Sequence, residues 1–305
     1  MRPVLAVLLA AVCFGTTGSA RAIADVDASA LSVGAARILI GGGLLALVAW
    51  LLSRRTARVP AAARPSAPRR GLPTPVLIAI GAAGVVAYQP LFFLGTETNG
   101  VAIGTIVALG SAPVLTGVAD WALRRRFPGW VWVIATAVAT IGVSLLSGIT
   151  AGSTGSVSVV GLLSSLGAGA AYAAYTLAGK ALLDRGWSST STMGALFGWA
   201  AVASLPILLL SDPSWLATTD GALLALWLGL VTTTVAYVLF GWGLARLSPA
   251  TVSTLTLAEP LTATLLGLLL LGETLDATAT AGLVVLALGI LVLAVPRRRA
   301  VSATG

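Results

Sequence analysis

Residues 257–275 read LAEPLTATLLGLLLLGETL. They close an apolar run that begins near residue 249 and is interrupted by one carboxylate, Glu259, followed at once by Pro260. A bilayer core of about 30 Å is crossed by about 20 apolar residues in a helix. The run 249–271 meets that length, and it puts Glu259 about ten residues in, near the midplane. A charged side chain at that depth is costly, and it marks a functional position or a polar contact between helices.

Nine more apolar runs of similar length occur in the chain. The ten cover about residues 3–20, 32–52, 74–95, 100–122, 129–148, 158–182, 189–210, 221–245, 249–271 and 278–296. Composition agrees. The 305 residues are 57% hydrophobic and 9% charged, against about 25% charged in an average soluble domain. Mean hydropathy is +0.99. So few charges cannot cover a soluble surface, which excludes an ordinary cytosolic enzyme and a disordered chain. The net charge of +8 does not read as nucleic-acid binding, because the basic residues sit in short clusters between apolar runs. Arg2 and the apolar run after it have the outline of a signal peptide, but the nine further runs favour a retained first span. The alternation of a membrane barrel strand is absent. The fold class expected is therefore an all-α polytopic membrane protein of ten transmembrane helices.

Missing residue types narrow the chemistry. Cys13 is the only cysteine and there is no histidine. An intrachain disulfide, a Ser-His-Asp triad and a histidine- or cysteine-ligated metal site are excluded. No catalytic residue, metal ligand or cofactor site is expected. No phosphate-binding Gly-x-x-x-x-Gly-Lys-Ser/Thr loop occurs, so ATP is not the direct energy source.

Ten spans place both termini on one side. With that side cytoplasmic, all 18 basic residues except Arg21 and Arg37 fall inside. Asp25, Asp27, Glu97, Asp212, Asp220, Glu273 and Asp276 fall outside. This is the positive-inside bias of a multi-pass protein of the cytoplasmic (inner) membrane. Trp50, Trp121, Trp130, Trp132 and Trp187 fall near the inner interface, where indole rings are favoured. The Arg/Pro/Ala-rich segment 53–71 reads as a disordered cytoplasmic linker.

An uncharged Gly/Ser-rich stretch, Ala151 to Ser158, lies near the midpoint of the chain. A shift of 147 residues brings Pro113 onto Pro260, Phe93 onto Phe240, Gly142 onto Gly289 and Leu146 onto Leu293. Five spans then match five spans. Five is odd, so the second half runs the opposite way through the membrane. The charges follow the face and not the repeat: Arg124, Arg125 and Arg126 after span four correspond to Gly272 and Glu273 after span nine. Two inverted five-helix repeats, residues 1–150 and 151–305, are the expected domains, an arrangement common among secondary transporters.

With Leu257-Ala258-Glu259-Pro260 and Leu271-Gly272-Glu273-Thr274-Leu275, the sequence resembles the drug/metabolite transporters of the EamA type. The first half carries the pattern less fully. Ser111-Ala112-Pro113 keeps the proline, Arg125-Arg126 stands in place of Gly-Glu, and Phe14-Gly15 in place of Trp-Gly. The resemblance implies two EamA repeats around a central cavity, with spans five and ten peripheral. It implies alternating access and export of a small metabolite, amino acid or toxic compound. An uncoupled facilitator or exchanger, a membrane scaffold and an intramembrane enzyme are the rival classes. The last would need clustered reactive groups at membrane depth.

Several residues are candidates for substrate binding or coupling. Glu259 reads as a proton-coupling group or the partner of a substrate amine, or as a protonated carboxyl bonded to a neighbouring helix. Arg37, about 8 Å into span two at the helical rise, either pairs with Glu259, binds a substrate carboxylate, or snorkels to the interface. Tyr88, Gln89, Tyr172, Tyr175, Tyr237 and Trp242 are candidates for an amphipathic cavity wall or for helix packing. Thr16 faces the cavity or bonds its own helix. Pro90, Pro113 and Pro260 are helix-kink candidates, since each removes a backbone donor and frees a carbonyl one turn earlier. Small residues at steps of four, Gly100, Gly104, Ala108 and Ala112 in span four and Gly161, Ser165, Gly169 and Ala173 in span six, read as packing seams. The partners implied are the lipid bilayer, a small-molecule substrate and protons. Small-residue faces also leave room for a homodimer.

Overall fold

The computed structural model describes residues 1–56, 71–147 and 157–295. Most of the Arg/Pro/Ala-rich linker and most of the midpoint linker lie outside the described residues, as do Arg297, Arg298 and Arg299.

Among the described residues every regular element is helical. In chain order they are α1 (Arg2–Ala24), α2 (Ala30–Thr56), α3 (Thr74–Arg124), α4 (Trp130–Leu146), α5 (Val159–Asp184) and α6 (Ser189–Leu210). There follow α7 (Thr219–Gly229), α8 (Ala236–Leu244), α9 (Pro249–Leu255), α10 (Ala258–Leu270) and α11 (Ala277–Ala294). A short 3₁₀ turn, Ser214–Ala217, precedes α7, and a π-helical turn, Leu230–Val235, joins α7 to α8.

These elements make ten spans, with three departures from straight helices. Spans three and four are joined as α3, which leaves helical geometry at Gly100 (φ 82, ψ 154). Such a positive φ suits glycine. The chain folds back there, so that a Cβ on Gly104 would meet the backbone of Thr96. Span eight is α7, the π turn and α8. Span nine is α9 and α10, parted at Thr256 and Leu257. Pro260 explains that break. It has no N–H for the carbonyl of Thr256, which instead accepts from Glu259 N–H at 2.9 Å, three residues on. Helix α3 continues through Pro90 and Pro113.

Packing follows the inverted repeat. The α3 hairpin packs on α5, and in the counterpart position α8 and α10 pack on α1. Helix α2 pairs with α6, and α4 with α11. The seams read from the sequence meet only in part: a Cβ on Gly169 would touch Ala108 O and Ser111 Oγ, whereas Gly104 packs on Thr96 of its own hairpin and Gly100 is the turn itself, with nothing beside it. Such close approach lets helices associate in lipid, where apolar side chains alone provide little drive.

The two ends of the bundle differ. On the face that bears the N-terminus, called here the terminal face, Trp132 Nε1 donates to Ala250 O at 3.0 Å and Thr136 shares a hydrogen bond with Thr254 at 2.8 Å. Trp132 is thereby buried in the helix packing and is no interface anchor. Arg124 bridges Asp120 of its own helix and, at 2.7 Å, Asp184 of α5. Lys180 donates to Leu244 O at 2.9 Å. Phe240, Leu244, Leu255, Leu182 and Met193 are fully buried. Toward the opposite, far face, α10 packs on α1 and α11, whereas α9 also packs on α3, α4 and α5. The terminal face is thus tied across the bundle, and toward the far face α2, α6, the 3₁₀ turn and α7 meet in a second buried cluster that includes Val33, Leu208, Trp215 and Leu228.

Candidate functional site

A cavity of about 50 Å³ lies between the two halves, at the level of the α9–α10 break. Seven of the residues read as candidates line it: Arg37, Tyr88, Gln89, Tyr172, Tyr175, Tyr237 and Glu259. They come from α2, α3, α5, α8 and α10, so no single helix makes the site. Phe14, Ile38, Val85 and Thr256 complete the wall.

Glu259 is in the first turn of α10. The break that Pro260 imposes turns a mid-span carboxylate into a residue at the N-terminus of a half-helix. The helix dipole favours negative charge there, and discontinuous helices place such ends at transporter sites. Among the described residues the Glu259 carboxylate has no hydrogen-bond or ion-pair partner. It faces the cavity, half-buried.

Arg37 is held from the other side. Its Nη2 donates to Thr232 O at 2.9 Å and its Nε to Thr233 Oγ1 at 3.1 Å. Both acceptors are in the π turn. The N–H of Ala236 goes to Val231 O and Thr233 O, and the Thr232 carbonyl takes the guanidinium. Single π turns inside helices are frequent at functional sites. The crossing is tight, since a Cβ on Gly41 would meet Thr233 and Gly229 O. Arg37 thus points inward and does not snorkel.

The tyrosines form a connected wall. Tyr172 shares a hydrogen bond with Thr256 at 2.8 Å, and Tyr175 with Tyr237 at 3.3 Å. The ring of Phe14 lies 5.1 Å from Tyr237, and that of Tyr175 lies 5.0 Å from Tyr172. The Gln89 amide and the Tyr88 hydroxyl have no protein partner among the described residues. A carboxylate, fixed aromatic faces and a guanidinium with spare donors together suit a small solute that carries both an amine and an acceptor group.

Two candidates lie elsewhere. Thr16 donates to Cys13 O at 2.7 Å and accepts from Trp227 Nε1 at 3.1 Å, in a groove between α1, α7 and α10. Trp242 stacks under the Arg246 guanidinium, 3.9 Å from its ring centre. Thr256 was not legible as a site residue, because threonine is common in these spans. Its only sequence signal is its place one turn before Pro260. Phe14 had one, as the aromatic of Phe14-Gly15.

Comparison with known proteins bears on this geometry. The model of the EamA-like transporter family matches twice, over residues 1–148 and 159–295. The chain belongs to the EamA-like transporter family. The two matches fall on the two five-span halves. The chain is also 38% identical over 296 residues to a protein of Bacillus subtilis (strain 168) described as the uncharacterized transporter YwfM, covering 97% of this chain and 95% of that one. One crystal structure superposes with a TM-score of 0.76 at 19% identity, covering 95% of each chain, a likeness of fold. An EamA-like transporter with two repeats is a multi-pass membrane protein, and its lipid-facing residues include Leu209, Leu210 and Leu269.

Proposed function

We propose that this EamA-like protein is a secondary transporter of the cytoplasmic membrane that exports a small amino-bearing solute in exchange for protons by alternating access. The observation that carries the reading is the Glu259 carboxylate, without a protein partner, facing a cavity walled by tyrosines and Arg37. A proton and a substrate ammonium compete for that carboxylate, so release of one accompanies binding of the other. Arg37, already held by the π turn, offers its remaining donors to an acceptor on the solute. The cavity of about 50 Å³ is too small for a drug-sized ligand, which needs about 300 Å³ or more. It would widen as the halves rock. In this reading the termini are cytoplasmic, which the distribution of arginines supports.

A second reading is an uncoupled exchanger. Glu259 at the N-terminus of α10 is placed where the dipole favours the ionised form. A carboxylate that stays ionised binds an amine without loading protons.

Expression in a bacterial host, with extracellular metabolites quantified against empty-vector and Glu259→Gln controls, tests the proposal. An amino-bearing solute that accumulates outside only with the native protein supports it. A solute exported equally by both proteins leaves export standing and removes Glu259 from the mechanism.

A further inference from the structure

The central cavity has an apolar neighbour. Between α2, α3 and α6 lies a small void of about 10 Å³ that shares Ile38 and Gln89 with the central cavity. On its other side the same void shares Val86 and Pro90 with a groove of about 660 Å³ on the bundle surface, between α3 and α6. The three spaces therefore run in series from the polar centre to the lipid side. The groove is lined only by apolar side chains. On α3 these follow a helical stripe that includes Ala79, Ala83 and Ala87, and Trp199 of α6 stands opposite. Helices α2 and α3 pack sparsely along this seam compared with α2 on α6 or α3 on α5.

Ile38 and Gln89 stand between the cavity and the void, and Val86 and Pro90 between the void and the groove. Gln89 faces both the cavity and the void, and its amide has no protein hydrogen-bond partner among the described residues. Opposite it is Gly34, where a Cβ would sit 3.3 Å from Gln89 Cγ. Glycine leaves room there for Gln89 to change rotamer. Such a swing would break no protein hydrogen bond of the amide.

We infer that the α2–α3 seam is a lateral port, and that the groove between α3 and α6 is an apolar subsite for the tail of an amphipathic ammonium solute whose head occupies the Glu259 cavity. This rests on the proposed function of that cavity. It extends the solute class to molecules that reach the site from the bilayer, and it commits the groove to a solute tail in preference to a phospholipid chain. Adjacency favours this occupant: neighbouring spaces share lining residues, so with Gln89 swung aside one extended molecule would reach from the carboxylate to the groove. Burial of each methylene in the groove adds to its hold on the head.

The test uses a decylammonium carrying a diazirine at the end of its chain, photolysed with the full-length protein in phosphatidylcholine nanodiscs. Labelled positions are mapped by mass spectrometry. A phosphatidylcholine with the same diazirine tail is run in parallel. The expected result is label on residues 75–90 and 199–203, reduced about fivefold by excess ethylammonium and by Glu259→Gln, roughly the worth of one ammonium–carboxylate or ammonium–aromatic contact. The double substitution Ala83→Phe/Ala87→Phe fills the groove from its lipid side, where Ala83 is exposed, and removes the label there. Groove label unmoved by ethylammonium and by Glu259→Gln, and matched by the phosphatidylcholine probe, means that bilayer chains fill the groove and overturns the inference. Label that ethylammonium displaces but that falls on residues 261–266 instead overturns the lateral port while leaving the cavity reading intact. No displacement by ethylammonium at any position counts against both.

Discussion

Arg37 and Glu259 face the same cavity without forming an ion pair. The guanidinium is held instead by Thr232 O and Thr233 Oγ1 in the π turn, and the carboxylate has no protein partner among the described residues. A direct pair would neutralise both groups and leave neither for a solute. The π turn therefore separates the two charges while keeping both at the site.

Arg37→Lys keeps the charge but loses the planar fork that reaches a carbonyl and a hydroxyl together. On the proposed function transport falls steeply, and the thermal midpoint in nanodiscs drops, because Thr232 O loses the guanidinium donor at a cost of about 1–3 kcal/mol. Native stability in Arg37→Lys would show that the π turn does not depend on the guanidinium.

At the terminal face, Asp120 is buried and Arg124 is its partner. Removing one member leaves a charge without compensation, whereas removing both does not. Arg124→Gln is expected to cost about 1–3 kcal/mol, and Asp120→Asn in the same chain to recover most of it. Unfolding midpoints of the two single variants and the double variant measure the coupling. Additive losses would show that the contact is incidental.

Two glycines give a paired prediction about packing. A Cβ on Gly142 would overlap the backbone of Leu286 where α4 crosses α11, and one on Gly18 of α1 would meet nothing. Gly142→Ala is expected to destabilise by about 1–3 kcal/mol, as overpacking does. Gly18→Ala is expected to be neutral or to stabilise by about 0.5–1 kcal/mol, since glycine inside a helix carries an entropic penalty. Thermal unfolding of the two variants side by side checks the contrast.

How far the sequence revealed these features depended on how local their cause is. The spans were legible because bilayer thickness fixes their length, and the repeat because five apolar runs matched five. Glu259 and Pro260 stood out because a carboxylate and an imino acid are both unusual at membrane depth. The π turn was not legible: Leu230 to Val235 reads as ordinary span, and its bonding is set by the crossing of Gly41 over Thr233. Thr16 and Trp242 were plausible wall residues, yet helix rotation turns one toward Trp227 and the other toward Arg246. Polar residues in a span do not say which neighbour they will meet. Ile38 and Val85 line the cavity beside the tyrosines, and nothing sets them apart from the other aliphatic residues of their spans.

The proposed function rests on exchange of protons for the solute at Glu259. Proteoliposomes holding the solute found in the export screen test it most directly. Accumulation driven by an imposed pH gradient is compared between the native protein and Glu259→Gln, with solute–solute counterflow at saturating concentration as the control. Glutamine cannot take up and release a proton, so the account predicts that the variant loses accumulation driven by the gradient and keeps counterflow. Accumulation driven by the gradient at the native rate in Glu259→Gln would contradict it.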